Sequence, residues 1–320
     1  MKKSLTFVII SLVVSLALCV PADKAEAQKK KFISIGTAGT GGTYYILGAG
    51  IAKVINKYVP DMKGTAQGTA GAIENCKLLG AKRLTLAFSG PGEAYWAYKG
   101  ERMFKERYEG LRWLMGGYSQ EQAILTRADS SIKSIADLRG KRVGVGAPGS
   151  GAAGTAIATL EANGLKQGTD YKPEWLSYVE VVEGLKDGTI DAGFITTATP
   201  SASITDLATS RNIRLLPLSR ESLLKLKDFF FFPGTIKAGT YKGVNEDIPC
   251  ASNLTILITH KDVDDESIVS ILKAVHEHTK ELAEIHPVGK DFTLENGLRG
   301  MSIPLHPAAE KYYRERGVLK

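Results

Sequence analysis

A strand followed by a glycine-rich loop and a helix occurs twice in this sequence, and this repeated unit constrains the fold more than any other feature. The first copy spans residues 32–58, with its glycines in the loop 39–43. The second copy spans residues 142–163, with its glycines in the loop 147–151. Apolar residues at helical spacing follow each loop. The repeat predicts an α/β fold made of two similar lobes, each with parallel strands covered by helices.

The rest of the chain keeps the same alternation of strands and helices, and no period of the kind that indicates a solenoid is present. Apolar runs predict strands at 84–88, 111–117, 123–126, 189–195, 213–216 and 252–259. Helical spacing predicts helices at about 70–79, 178–186, 201–210 and 265–285.

The two glycine loops are the candidate binding elements. In open parallel sheets, ligands bind beyond the carboxyl ends of the strands, where the helices begin. A helix start presents unpaired N–H groups and a partial positive charge, and glycine lets a ligand approach that backbone closely. The hydroxyl groups that could add donors belong to Thr40, Thr43, Ser150 and Thr155. Two such loops, one per lobe, could hold a small anion, although a single glycine loop can simply turn the chain into a helix.

Enzyme motifs are weak in this sequence. Residues 149–154 fit the G-x-G-x-x-G pattern of a dinucleotide-binding loop, so an NAD-type enzyme is one alternative. That reading needs an acidic residue after the next strand, and Glu174 fits the place only loosely. The serine hydrolase pattern G-x-S-x-G fails, because Pro148 and Ala152 occupy its outer positions. The histidines lack metal-type spacing, so the sequence predicts neither an enzyme nor a bound cofactor or metal.

An N-terminal signal peptide, residues 1–27, is predicted from three features in order. A basic start at 2–3 precedes an apolar run at 5–20, and Ala25-Glu26-Ala27 is a small-x-small cleavage pattern. The run of roughly sixteen residues is shorter than the ~20 that a membrane-spanning helix needs. Cys19 leaves lipidation as an alternative, although the residue before it is not the small one typical of a lipobox. We therefore expect a periplasmic or otherwise extracytoplasmic protein.

Charge and cysteine usage narrow the class of partner. The formal net charge is +7, and the basic residues are scattered rather than clustered, which argues against nucleic-acid binding. A mild positive surplus favours solubility or gentle steering of anions. The spacing of Cys76 and Cys250 leaves open whether they pair. We expect a monomer that binds a small anionic ligand.

Five short motifs occur in a fixed order along the chain. They are IGTAGTGGTYY at 35–45, GAIEN at 71–75, VGAPGSG at 145–151, DAGF at 191–194 and IPLHPAAEKYY at 303–313. Taken together, they resemble the TAXI family of periplasmic solute-binding proteins, the binding subunits of one class of TRAP transporters. The chain departs from that family at 88–95, where the family commonly has an aspartate.

The resemblance implies a type II periplasmic binding protein fold with two lobes. Lobe 1 would comprise residues 32–125 and 236–320, lobe 2 would comprise residues 126–235, and the two crossing segments would form a hinge. The implied ligand is a small carboxylate, either a glutamate-like amino acid or a dicarboxylate. Uptake would run on an ion gradient through the TRAP membrane permease subunits. The same fold can instead serve a sensor kinase or a chemoreceptor, and that alternative stays open.

The predicted ligand contacts come from both loops and from nearby strand ends. They are Thr40, Gly41, Gly42, Thr43, Tyr44 and Ser89 in one lobe, and Pro148, Gly149, Ser150, Gly151 and Thr196 in the other. If the ligand is an amino acid, Glu74 or Glu93 could accept hydrogen bonds from its ammonium group. The second lobe is expected to close over a ligand held by the first.

Overall fold

The computed structural model describes residues 30–320 of the chain. The predicted signal peptide, its cleavage site and Cys19 lie outside these described residues. Within them, every helix is too short or too polar to cross a membrane.

One mixed sheet of ten strands runs through the described part of the chain. The strands are β1 (Lys31–Gly36), β2 (Met62–Gln67), β3 (Leu86–Ser89), β4 (Leu111–Arg127), β5 (Arg142–Gly144), β6 (Lys172–Glu174), β7 (Ala192–Thr197), β8 (Ile213–Leu215), β9 (Phe232–Ile236) and β10 (Ile248–His260). Their order is β2-β1-β3-β10-β4-β7-β5-β6, with β8 beside β4 and β9 beside β10. Parallel pairing within β2-β1-β3 and within β7-β5-β6 forms the two ends of the sheet.

Helices cover both faces of this sheet. They are α1 (Thr43–Tyr58), α2 (Ala72–Gly80), α3 (Pro91–Lys99), α4 (Gly151–Ala162), α5 (Tyr178–Asp187), α6 (Ala202–Ser210), α7 (Arg220–Lys225), α8 (Asp265–Glu277), α9 (Thr279–Ile285) and α10 (Pro307–Glu315). Short 3₁₀ segments occur at Ile135–Leu138, Lys227–Phe229 and Pro287–Asp291.

The strands β4 and β10 connect the two ends of the sheet. The first part of β4 pairs antiparallel with β10, and its last part pairs with β7 and β8. In the same way, β10 pairs with β9 at its start and with β3 at its end. Each of these strands is therefore long enough to belong to both halves of the molecule.

Strand β4 corrects one prediction. The sequence predicted separate strands at 111–117 and 123–126, but the structure has one continuous strand. The polar residues Ser119–Gln122 between the two predicted strands continue the β4 ladder opposite β10 and β7. The predicted helix at 265–285 is likewise two helices, α8 and α9, which meet at His278.

Buried apolar side chains form clusters on the two faces of each half of the sheet. Successive residues of a strand point to opposite faces, so Phe194 and Ile195 belong to different clusters in one half. In the other half, Leu257 and Ile258 divide in the same manner. The segment that follows β9 packs with the cluster of Ile195, through Ile236, Tyr241, Val244 and Ile248.

The two cysteines and the aromatic residues that precede β9 lie in the packed interior between helices and sheet. Cys76 and Cys250 are both buried, free thiols in different clusters. Phe229 and Phe230 pack against Trp96 of α3, with ring centroids 5.9 and 6.0 Å from its ring. This aromatic contact joins the two halves of the molecule at the level of α3.

Candidate functional site

A cavity of about 330 Å³ lies where the two halves of the sheet face each other. Its walls are the carboxyl ends of strands and the starts of helices. The lining residues are Ala38, Gly39, Thr40, Gly41, Gly42, Thr43, Tyr44, Thr69, Ala70, Gly71, Ala72, Glu93, Gln120, Ala147, Ser150, Gly151, Ala152, Thr155, Ser177, Tyr178, Val179, Thr196, Thr197 and Asn253. The cavity can hold a small solute.

The first glycine loop forms one wall of the cavity. All five of its predicted contacts line the cavity, from Thr40 to Tyr44. Gly42 is the N-cap of α1 and has no side chain that could cap the helix. The hydroxyl of Tyr44 accepts a hydrogen bond from Gln120 on β4 (3.1 Å), which fixes the ring at the floor of the site.

The second glycine loop forms the opposite wall. Ser150 and Gly151 line the cavity where α4 begins. The hydroxyl of Ser150 donates to the Ala147 carbonyl (2.7 Å) and accepts from the Ala153 N–H (3.1 Å). Because its one proton is already donated, this hydroxyl caps the helix and has only acceptor capacity left for a ligand.

Three predicted contacts lie away from the cavity. Ser89 is completely buried behind the wall, where its hydroxyl donates to the Gly90 carbonyl (3.1 Å). Pro148 and Gly149 lie on the outer, exposed side of the second loop. The left-handed backbone at Gly149 turns the loop so that its inner side, at Ser150 and beyond, faces the cavity.

Hydrogen bonds across the cavity rim hold the two halves together. The Thr43 N–H donates to the Thr197 hydroxyl (3.3 Å), and the two threonine hydroxyls are 2.9 Å apart. On the same side, the Ser203 hydroxyl donates to the Gly41 carbonyl (2.7 Å). On the other side, the backbone of the second glycine loop accepts from the N–H of Glu74 (3.2 Å). The structure is thus a closed form.

The floor of the cavity includes residues that sequence reasoning missed. Gln120 and Asn253 face each other on β4 and β10, where these strands cross between the halves. Tyr178 on α5 donates its hydroxyl proton to the Thr196 carbonyl (2.6 Å) and accepts from the Thr196 N–H (3.1 Å). Thr196, a predicted contact, also lines the cavity.

The charged side chain that lines the cavity, among the described residues, is an acid. Glu93 lines the wall and is only 4% exposed. Burial raises the pKa of its carboxyl group, and its own backbone N–H lowers it only in part. Among the lining residues that the structure describes, none is lysine, arginine or histidine. An anionic group of a ligand would therefore depend on backbone N–H groups, hydroxyls and helix starts.

The dinucleotide alternative receives little support from this geometry. The fingerprint at 149–154 does sit between β5 and α4, and Glu174 does end the neighbouring strand β6. Glu174, however, is not among the residues that line the cavity. The residue that would contact a ribose is therefore outside the site formed by the glycine loop.

Solved structures that are similar to this chain include proteins described as periplasmic. A periplasmic transporter superposes with a TM-score of 0.56 at 11% identity, covering 89% of this chain and 92% of its own. XAC2383 from Xanthomonas citri, solved with bound ATP, superposes at 0.52 with 12% identity, covering 90% and 97%. The periplasmic aliphatic sulphonate binding protein SsuA from Escherichia coli gives 0.49 at 16% identity, covering 89% and 83%. The predicted α/β, two-lobed periplasmic binding protein fold is confirmed.

Sequence comparison gives the family. The profile that matches covers residues 35–317, from the first strand to the last helix. Both glycine loops, the crossing strands and every residue that lines the cavity fall within the matched range. The chain therefore belongs to the NMT1-like family.

Proposed function

We propose that this protein is an extracytoplasmic solute-binding protein that captures a small carboxylate and delivers it to a membrane permease. The observation that carries the proposal is the cavity between two glycine-rich helix starts, closed at its rim by hydrogen bonds between the halves. Such a site binds by enclosing a ligand.

The helix starts supply the donors that a carboxylate needs. At α1, the Thr43 N–H is used by Thr197, while the N–H of Tyr44 has no hydrogen-bond partner among the described residues. At α4, the N–H of Ala153 donates to the Ser150 hydroxyl. The N–H groups of Gly151 and Ala152 have no hydrogen-bond partner among the described residues. A carboxylate oxygen on either side would find open N–H groups and a favourable helix dipole.

The division into lobes is part of the proposal. The resemblance implies residues 32–125 and 236–320 for lobe 1 and residues 126–235 for lobe 2, and we propose β4 and β10 as the hinge. The packing of Ile236, Tyr241 and Ile248 with the cluster of Ile195 favours counting residues 236–250 with lobe 2. Opening would then bend β4 and β10 and break the rim hydrogen bonds.

The transporter type follows from the resemblance of the five motifs to the TAXI family. We propose a TRAP permease as the partner, uptake driven by an ion gradient, and a ligand that is a glutamate-like amino acid or a dicarboxylate. Vesicles holding the permease should take up the ligand only when this protein and an ion gradient are both present.

Binding can be tested directly on the chain from Gln28 to Lys320. Calorimetric titration and thermal unfolding would use L-glutamate, succinate and inorganic phosphate as probes. We expect one carboxylate to bind at a single site and to raise the melting temperature, because a ligand that binds only the folded state stabilises it. Phosphate should do neither. Failure of every carboxylate to bind, or turnover of a bound one, would overturn the proposal.

A further inference from the structure

We infer that Glu93 selects a ligand that carries a protonated amine as well as a carboxylate. This inference rests on the proposed function and narrows it, because it separates amino acids from dicarboxylates. It follows from the position of the Glu93 carboxylate, from the absence of a hydrogen-bond donor to that carboxylate among the described residues, and from unpartnered polar groups in the same cavity.

Glu93 reaches the cavity from the first turn of α3. Its carboxylate lies between Gly90, which precedes that helix, and Gly151, which begins α4 on the opposite wall. A Cβ atom at Gly151 would lie only 2.7 Å from Glu93 Oε1. The carboxylate therefore meets both halves of the closed protein, at the place where a ligand would be enclosed.

The Glu93 carboxylate has unused acceptor capacity. No other described residue donates a hydrogen bond to it, and only its own backbone N–H interacts with it. Glu74 differs, because its carboxylate accepts from the Ala70 N–H (2.6 Å) and lies outside the lining of the cavity. Of the two acids that the sequence offers to an ammonium group, the structure brings only Glu93 to the cavity.

Two helix starts lie near the Glu93 carboxylate, but no positively charged side chain pairs with it among the described residues that line the cavity. The carboxylate lies beside the starts of α3 and α4, where helix dipoles favour an anion. No cationic side chain lines the cavity in the described part of the chain. A buried carboxylate without a positive partner gains strongly from a cation that arrives with the ligand.

Two other side chains that line the cavity, Asn253 and Thr196, indicate the same kind of ligand. Asn253 lines the cavity, and its amide nitrogen lies near Gly90, as the Glu93 carboxylate does. The side-chain oxygens of Asn253 and Thr196, both residues only 7% exposed, have no hydrogen-bond partner among the described residues. Buried polar atoms are usually partnered. An ammonium group has three N–H donors to offer to such a set of acceptors.

A dicarboxylate would instead bring a second negative charge towards Glu93. In a cavity with no lining cation, two carboxylates repel each other unless one is protonated. The site should therefore prefer an amino acid to the same molecule without its amine.

Two pairs of probes isolate the amine, namely L-glutamate with glutarate and L-leucine with 4-methylpentanoate. Affinities would be measured by calorimetric titration at pH 7 for the unaltered mature chain and for Glu93→Gln. For the pair whose side chain fits the cavity, we expect the amine-bearing member to bind at least about tenfold more tightly in the unaltered protein. In E93Q that ratio should fall to within about threefold, since Gln keeps the shape and loses the charge.

Glu121→Gln is the matched control. Glu121 is a partly buried acid whose pKa is also raised by burial, but it does not line the cavity. The amine preference should survive in E121Q. Equal binding of both members of each pair, or an unchanged ratio in E93Q, would overturn the inference and leave the proposed function standing. Failure of all four probes and of succinate to bind would overturn both.

Discussion

The hydroxyls of Thr43 and Thr197 lie 2.9 Å apart and join the start of α1 to the end of β7. These elements belong to opposite halves of the sheet, so the contact can exist only in the closed form. The Thr43 N–H also donates to the same Thr197 hydroxyl (3.3 Å), which makes Thr197 a cap for a helix in the other half. The Thr197 side chain thus helps to close the cavity. It also accepts from the Thr43 N–H, so that this donor at the cavity edge is not available to a ligand.

Removal of the Thr197 hydroxyl should weaken ligand binding more than it weakens the fold. Thr197→Val keeps the shape of the side chain but loses both interactions with Thr43, and we expect a loss of affinity of about three- to tenfold. The free energy of unfolding without ligand should fall by less than about 1 kcal/mol, because the open form never makes these bonds. Calorimetric titration and urea unfolding would measure the two quantities.

Thr209→Val is a suitable control for that substitution. The Thr209 hydroxyl donates to the Thr205 carbonyl within α6, away from the cavity lining. Its removal should leave the affinity unchanged. Equal losses of affinity in both variants would show that the Thr43–Thr197 contact has no special part in closure.

Ser150→Ala should destabilise the protein even when no ligand is present. Ser150 is the N-cap of α4, and loss of such a cap costs about 1 kcal/mol. The matched variant is Ser219→Ala, which removes the N-cap of α7, remote from the cavity lining. Both should lower the urea midpoint, but only the first should also lower affinity. Unchanged stability in Ser150→Ala would contradict the capping role.

The stability of the folded protein should depend on pH through Glu93. Burial raises the pKa of this carboxyl above its ordinary value of 4.5, so its ionisation opposes folding. The cost is absent below the unfolded-state pKa and grows as the pH rises towards the folded-state pKa. Glu93→Gln should therefore be at least as stable as the unaltered protein at pH 7, with the difference shrinking as the pH falls towards 4.5.

Urea unfolding of both proteins between acidic and neutral pH would check that dependence. The difference between the two curves removes the contribution of the other titrating groups. If Glu93→Gln were the less stable protein at pH 7 and the gap closed in acid, the pKa of Glu93 would be lowered by folding rather than raised.

Local patterns in the sequence were sufficient to predict the fold class and most of the first wall of the site. The glycine loops are short-range signals, so Thr40 and Ser150 could be placed at helix starts without knowledge of the tertiary structure. Gln120 and Asn253 could not be identified, because they become neighbours only when two strands far apart in sequence pair across the hinge. Ser89 was predicted as a ligand contact from its position at a strand end. Its side chain lies outside the cavity lining, because a strand end near the cavity can still point its side chain into the core.

Gly151→Ala should impair closure while leaving the open protein folded. A Cβ atom at this position would lie 2.7 Å from Glu93 Oε1 and 3.2 Å from the Cβ of Ala72, and both neighbours belong to the opposite half of the molecule. In the open form these neighbours move away, and alanine is a better helix former than glycine by roughly 1 kcal/mol. We expect ligand affinity to fall by about tenfold or more, with thermal stability without ligand unchanged or slightly raised.

Gly154→Ala supplies the comparison within the same helix. Its added Cβ would meet only the flexible end of Met103, at 3.3 Å, so it gains the same helix propensity without obstructing closure. Affinity should be preserved in this variant. Small-angle scattering with saturating ligand should show a compact Gly154→Ala protein and a more extended Gly151→Ala protein. If Gly151→Ala bound ligand and compacted as well as Gly154→Ala, the close approach of Glu93 to the start of α4 would not limit closure.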